Sequence, residues 1–187
     1  MADMEPWFLR GTVIHGFGRG GTQLGYPTAN MELSEAAIAF LKPYDNRVLW
    51  GWGCVEAAAE SDAAAARAGD ASPEPLGPFP FVMSIGNNPQ FKNVDISAEV
   101  YFLHTFDGDF YGRVVRILTL ESIREQSAFT TLEELIKTID GDVAFAKEHL
   151  LRSEWAHYQQ HAIVDPSAPP PQRGSDASLP SFGFVGK

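Results

Sequence analysis

Apolar residues in the first two thirds of the chain fall in short runs broken by glycine and proline, a pattern of strands rather than helices. Trp7 to His15 is the first run, and a glycine cluster follows it at once. Leu49 to Val55 sets Trp50 and Trp52 two residues apart ahead of Val55. Phe79 to Ile85 is bounded by Pro78 and by Gly86-Asn87-Asn88-Pro89. Ala98 to His104 and Phe110 to Leu120 flank Thr105-Phe106-Asp107-Gly108-Asp109, where the Asp-Gly step predicts a tight hairpin. These runs give at least five strands, mostly antiparallel, spaced as in a barrel or sandwich.

A period of 3.6 takes over late in the chain. Thr130 and Thr131 each precede a glutamate, Glu133 and Glu134, by three residues, which is capping-box spacing. Leu132, Leu135, Ile136, Ile139, Val143, Ala146 and Leu150 then predict one long helix whose apolar stripe packs on the sheet. Gly141 within it costs about 1 kcal/mol relative to alanine.

Two segments read as additions. Residues 56–80 carry five acids against Arg67 alone and end in Gly and Pro, which predicts a surface insertion in a hairpin loop. From Val164 onward the chain is rich in Pro, Ser and Gly, a composition that cannot fold alone, although Phe182 and Phe184 leave room for a docked tail. The expected division is one domain over 7–160, with the insertion at about 56–80, and a tail over 161–187.

Composition narrows the partners. The 187 residues, 44% of them hydrophobic, suffice for one domain with a real core. Twenty-four Asp and Glu against fourteen Lys and Arg give a formal charge of −10. Such a surface repels nucleic-acid backbones and anionic membranes, so neither is expected as a partner. The insertion holds −4 of that total, which leaves a phosphate pocket elsewhere free to be locally basic or lined by amides. One cysteine, Cys54, allows no internal disulfide and reads as a buried strand residue. No run of 18 apolar residues occurs, and Met1-Ala2-Asp3-Met4-Glu5-Pro6 lacks the basic start of a signal peptide. A cytoplasmic monomer is the expectation.

The most informative stretch runs from Gly11 to Asn30. Gly16, Gly18 and Gly21 satisfy G-x-G-x-x-G, but Gly25 and Pro27 follow, so no helix opens as a dinucleotide fingerprint requires. A Walker A Gly-Lys-Ser/Thr is absent, as are the His-Arg-Asp and Asp-Phe-Gly of protein kinases. Five glycines within ten residues still let backbone N–H groups approach an anion closely, and Arg19 adds a charge. A flexible surface loop is the plainer alternative. Thr28 and Asn30 lie at i and i+2, so in extended chain they share one face and offer two hard, neutral oxygens suited to Mg²⁺ beside a nucleotide. Ordinary turn chemistry is the alternative there. His157 and His161 have helical spacing for two metal ligands but no third ligand nearby, and they read as surface histidines.

The run Gly16-Phe17-Gly18-Arg19-Gly20, Gln23-Leu24-Gly25 and Pro27-Thr28-Ala29-Asn30 resembles the signature of riboflavin kinases of the eukaryotic, stand-alone type. Ser84-Ile85-Gly86 with Asn88-Pro89 and Phe91-Lys92-Asn93 is similar to that family's middle motif. Glu99 with Leu103-His104-Thr105-Phe106 and Asp109-Phe110-Tyr111-Gly112 resembles the segment that holds its catalytic glutamate. Arg124, Phe129 and Leu132 to Ala146 match its flavin-side loop and final helix.

The resemblance implies a mainly β fold, a six-stranded antiparallel Greek-key barrel with a C-terminal α-helix. It implies ATP-dependent phosphorylation of the ribityl 5′-hydroxyl of riboflavin, giving FMN and ADP. Riboflavin and ATP are then the small-molecule partners. Gly16, Gly18, Arg19, Gly21 and Thr22 would cover the ATP phosphates, and Thr28 and Asn30 would hold Mg²⁺, with Zn²⁺ or Mn²⁺ as alternatives. Phe102, His104 and Tyr111 would contact the nucleotide. Glu99 would be the general base, and Arg124, Ser127 and Phe129 would face the flavin. With no room for an adenylyltransferase, FMN is the expected end product. The sequence departs from the family where Thr22 replaces a frequent lysine, Asn87 an aromatic, Arg47 to Trp50 a Gly-Val/Ile-Tyr start, and Glu125-Gln126 a Pro-Glu. A barrel that binds flavin or nucleotide without catalysis is the competing reading.

Overall fold

The computed structural model describes residues 4–15, 25–56, 76–87, 96–106, 110–169 and 181–185. Gly16, Gly18, Arg19, Gly21 and Thr22, most of the 56–80 insertion and the Asp107-Gly108-Asp109 turn lie outside them.

Among the described residues, seven strands form one antiparallel sheet: β1 (Trp7–Ile14), β2 (Ala29–Met31), β3 (Arg47–Val55), β4 (Leu76–Asn87), β5 (Ile96–Phe102), β6 (Val114–Glu125) and β7 (Ser181–Phe184). Their order is β2-β5-β4-β3-β6-β1-β7, and a further β2–β1 pairing closes the first six into a barrel. Closure depends on how β1 shares its second edge. Trp7 to Arg10 pair with β7, and Val13 and Ile14 pair with β2. Gly11 falls between these two partners, where a Cβ would stand 3.0 Å from the Glu32 carbonyl oxygen. Among the described residues the two longer helices are α1 (Glu35–Leu41) and α2 (Leu132–Leu150), and a single helical turn, Ser153–Ala156, follows α2.

Alternation of side chains builds two cores. Trp7, Leu9 and Val13 of β1 point into the barrel with Ala29, Met31, Leu49, Phe81, Met83, Ile85, Ala98 and Val100. The opposite face of β3 is equally buried, because Val48, Trp50 and Trp52 belong to a second core with Leu118, Leu120, Ala146, Leu150, Tyr158, Ile163 and Val164. Trp50 meets Phe145, His149 and Trp155 edge-on at 5.5–6.2 Å. β3 therefore has no solvent face, which explains its continuous apolar sequence. The segment after residue 160 supplies part of this second core, and Ser181–Phe184 supplies β7. Phe182 packs on Phe40 of α1 at 4.7 Å between ring centroids.

Strand limits differ from the sequence expectation where pairing overrides pattern. β6 begins at Val114 instead of Phe110, since Arg113 donates back to the Phe110 carbonyl at 3.1 Å and Gly112 turns the chain with φ +78°. It then runs on to Glu125 because Arg47 and Val48 continue its ladder.

α2 starts where the capping box places it. Thr131 accepts from the Glu134 N–H at 3.2 Å, and the Glu134 carboxylate accepts from the Thr131 N–H at 3.3 Å. The stripe is core only in its second half. Leu132 is 56% exposed, and Leu135, Ile136 and Ile139 are half-buried, whereas α2 reaches the second core from Val143 onward.

Candidate active site

The ladders align one belt of outward side chains around the barrel. Asn30 of β2 is paired with Ile14 on one side and Glu99 of β5 on the other. Glu99 is paired in turn with Ser84 of β4, Ser84 with Val48 of β3, and Val48 with Arg124 of β6. The neighbours of Asn30, Glu99 and Ser84 in sequence point into the barrel core, so these three share its outer face. Directly opposed residues have Cα atoms about 4.5–5.5 Å apart, within reach of each other's side chains.

Beside Asn30 a cavity of about 390 Å³ opens, lined by Gly25, Pro27, Thr28, Phe102, His104 and Tyr111 among others. Its volume is that of a small-molecule site. Two of its rings sit in ready-made stacks. His104 lies parallel to Phe79 at 3.9 Å, and Tyr111 lies on His15 at 3.7 Å. Phe102 differs from them: it is 3% exposed, packs edge-on against Phe81, Phe106 and Phe110, and forms the cavity floor. Gly25, with φ +84°, ends the glycine-rich stretch in a conformation that favours glycine. Thr28 borders the cavity and is half-buried, and Asn30 is 9% exposed with a carboxamide that makes no hydrogen bond to a described residue.

This donor set fits a hard cation shared with a substrate. Thr28 and Asn30 supply neutral oxygens and Glu99 stands next to Asn30, while no three His, Cys, Asp or Glu side chains gather into a metal cage among the described residues. An ion held there would take its remaining ligands from phosphate and water, as Mg²⁺ does. His157 and His161 belong to the turns after α2, and neither lines the cavity. Burial, then the nearby His157, holds His161 below the ordinary histidine range.

At the far end of the belt, Arg124 is fully engaged. Its Nε and Nη2 donate to the two Asp142 carboxylate oxygens at 2.9 and 2.8 Å, and Nη1 donates to the Glu125 carbonyl at 3.0 Å and Ser127 Oγ at 3.4 Å. The fork ties residues 125–127 to α2. Gln126 fixes the same segment to β4: its side-chain amide donates to the Ile85 carbonyl at 2.7 Å and covers the outer face of Gly86. Ser127 is exposed and Phe129 is half-buried on this segment. Arg124 and Ser127 are thus brought together, and they stand three strands from Glu99.

Sequence reasoning missed the residues that hold these groups. Asp142 belongs to no motif, and only the fold shows it 5% exposed beneath Arg124. Tyr26 links the two ends of the site. Its hydroxyl donates to Asp140 of α2 at 2.8 Å, which raises its pKa, and its ring meets Tyr101 edge-on at 5.5 Å.

Comparison with known proteins gives this arrangement its context. Residues 4–150 match the family model described as Flavokinase, riboflavin kinase. A riboflavin kinase of Pyricularia oryzae is 37% identical over 150 residues, covering 80% of this chain and 74% of that protein. The Homo sapiens riboflavin kinase is 37% identical over 147 residues, covering 78% and 81%. The crystal structure of riboflavin kinase from Trypanosoma brucei superposes with a TM-score of 0.74 at 33% identity, covering 98% of this chain and 99% of that one. The family model spans every described element that carries the belt and the cavity, and the chain belongs to the riboflavin kinase family.

Proposed function

We propose that Asn30, Thr28 and Glu99 form the phosphoryl-transfer centre of this chain, with the nucleotide in the cavity beside them. As a riboflavin kinase the chain transfers the γ-phosphoryl group of ATP to riboflavin, giving FMN and ADP. The observation that carries the residue assignment is the pairing of Asn30 with Glu99 at the edge of a cavity of nucleotide size.

The chemistry follows from that neighbourhood. A carboxylate of ordinary pKa, about 4.3, is too weak to strip an alcohol of its proton outright. Phosphoryl transfer passes through a loose transition state, so the need is to aim the 5′-hydroxyl and accept its proton late. Glu99 does both from the β5 face. Thr28 and Asn30 would hold Mg²⁺ by their side-chain oxygens, and the ion would neutralise charge building on the transferred group. His104 and Tyr111, already stacked, extend an aromatic surface to the nucleotide, and the cavity floor at Phe102 keeps water out. Gly16, Gly18, Arg19, Gly21 and Thr22 complete the phosphate contacts. On the flavin side, Arg124 acts through Asp142 and Ser127 to set the segment that carries Phe129, rather than by meeting the ring with a spare donor. The single buried thiol suits the reducing cytoplasm.

The test is an assay of purified protein with riboflavin and Mg-ATP, separating flavins by chromatography, with Glu99→Gln in parallel. FMN from the wild type and a fall of about 10²–10⁴-fold in kcat for the variant are expected. Equal turnover by the variant would take the proton-accepting role from Glu99.

A further inference from the structure

Ser84 opens the Ser84-Ile85-Gly86 run, and none of the roles described above uses its hydroxyl. It is paired with Glu99 on one side and Val48 on the other, and it points out of the barrel between Met83 and Ile85, both fully buried in the core. Two nearby serine hydroxyls are tied to backbone. Ser97 donates to the Gly86 carbonyl at 3.3 Å and Ser122 to the Val48 carbonyl at 3.4 Å. The Ser84 hydroxyl makes no hydrogen bond to a described residue, although it is half-buried. A polar group in that setting is satisfied by water or by a ligand.

Direction decides between them. Asn30 lies on the β2 side of Glu99 and Ser84 on the β4 side, and no residue of β4 lines the nucleotide cavity. Attacking and leaving oxygens stand in line in phosphoryl transfer, so an acceptor whose reacting hydroxyl meets Glu99 must extend away from the donor. It then runs over β4, toward Gln126 above Gly86 and the segment held by Arg124. The outward residues of β4 are small there, a serine at residue 84 and a glycine at residue 86 that Gln126 covers.

We propose that the Ser84 hydroxyl is a substrate-positioning group that hydrogen-bonds a ribityl hydroxyl of riboflavin beside its reacting end. The inference rests on the placement of Glu99 at the acceptor hydroxyl. A sugar-alcohol chain offers both donors and acceptors, so one serine hydroxyl serves either way.

The experiment compares wild type, Ser84→Ala and Ser84→Thr in steady-state kinetics, together with binding of lumiflavin, which has the flavin ring but a methyl group in place of the ribityl chain. Loss of one neutral hydrogen bond predicts a rise of about five- to tenfold in KM for riboflavin in Ser84→Ala. The expected companions are kcat within about twofold, unchanged KM for ATP, unchanged lumiflavin affinity and recovery of riboflavin KM in Ser84→Thr. An unchanged riboflavin KM in Ser84→Ala overturns the proposal, and so does a parallel loss of lumiflavin affinity, which would mean a general distortion of the site. Glu99→Gln keeps the two readings apart. Full turnover in that variant removes the acceptor placement on which the proposal stands, whereas lost turnover there with an unmoved riboflavin KM in Ser84→Ala overturns the ribityl contact alone.

Discussion

Asn30 and Glu99 face each other across the β2–β5 ladder, and no residue intervenes between the group that would hold a cation and the group that would accept a proton. β2 has only three residues, and Asn30 is its middle one. Its flanks, Ala29 and Met31, are anchored in the barrel core, so the carboxamide is aimed outward by burial on both sides. Rigid strands hold such groups more closely than loops do.

Asn30→Ala removes a ligand oxygen while leaving Ala29 and Met31 in place. The half-saturating Mg²⁺ concentration for FMN formation is expected to rise about tenfold or more, the range for one lost metal-site partner. Thermal stability should be nearly unchanged, because the carboxamide has no hydrogen bond to a described residue to lose. A Mg²⁺ titration of initial rates checks this, and identical curves for variant and wild type would exclude Asn30 as a ligand.

The Arg124–Asp142 fork predicts a different signature. Asp142→Ala leaves a guanidinium that is only a quarter exposed without its bidentate acceptor, and frees the 125–127 segment from α2. Urea unfolding should show a loss of about 1–3 kcal/mol. KM for riboflavin should rise more than KM for ATP, since the nucleotide cavity is lined by other elements. Arg124→Lys should resemble Asp142→Ala, because an ammonium cannot reproduce the fork.

How much of this was readable in the sequence differs by element. β1 and α2 carry their own signals, alternation over Trp7 to Val13 and a capping box at Thr131, and both are local. β2 is too short to show a period, and β7 exists only because β1 offers an open edge at Trp7 to Arg10. Nothing in Ser181-Phe182-Gly183-Phe184 names that partner. The site divides the same way. Thr28, Asn30 and Glu99 stand out through motifs, but their meeting depends on a barrel closure that joins residues far apart in sequence. Asp142 and Gln126 carry no motif of their own, and the motif that holds Ser84 names no role for it, since their roles arise from which strand or helix lies opposite.

A buried charge cluster around Glu56, none of whose side chains lines the cavity, predicts a stability effect without a kinetic one. Glu56 receives Arg10 at 2.7 and 2.8 Å and Arg116 at 2.9 Å, and its carbonyl accepts from Arg113. All three arginines are at most 9% exposed. Desolvation lowers the pKa of Arg113. Removing one partner from a buried ion pair typically costs about 3–5 kcal/mol, because the remaining charges stay out of water. Glu56→Gln should therefore lower the urea midpoint strongly, while residual folded protein keeps wild-type KM values for both substrates. A shift in either KM would mean that the cluster reaches the site.

Cys54 supplies a prediction with a sign that can be worked out. It lies on the outer face of β3, fully buried, with its Sγ 3.9 Å from the Ile163 carbonyl oxygen. Burial pushes its thiol from 9.0 up to about 12, against the attraction of Arg116. The folded state thus keeps its proton at pH values where the unfolded chain has lost it. Stability from this group is complete below about pH 9 and declines as pH rises toward 12, because the unfolded state gains by ionising first. Two measurements follow. Urea midpoints should fall between pH 9 and pH 10.5 in the wild type, and less so in Cys54→Ala. At pH 8 the native protein should resist a disulfide reagent such as dithionitrobenzoate, and release one equivalent of thiolate product after unfolding, since the chain has a single cysteine. Rapid labelling of the native protein would show that the segment carrying Ile163 opens on the time scale of the reaction, and would remove it from the second core in solution.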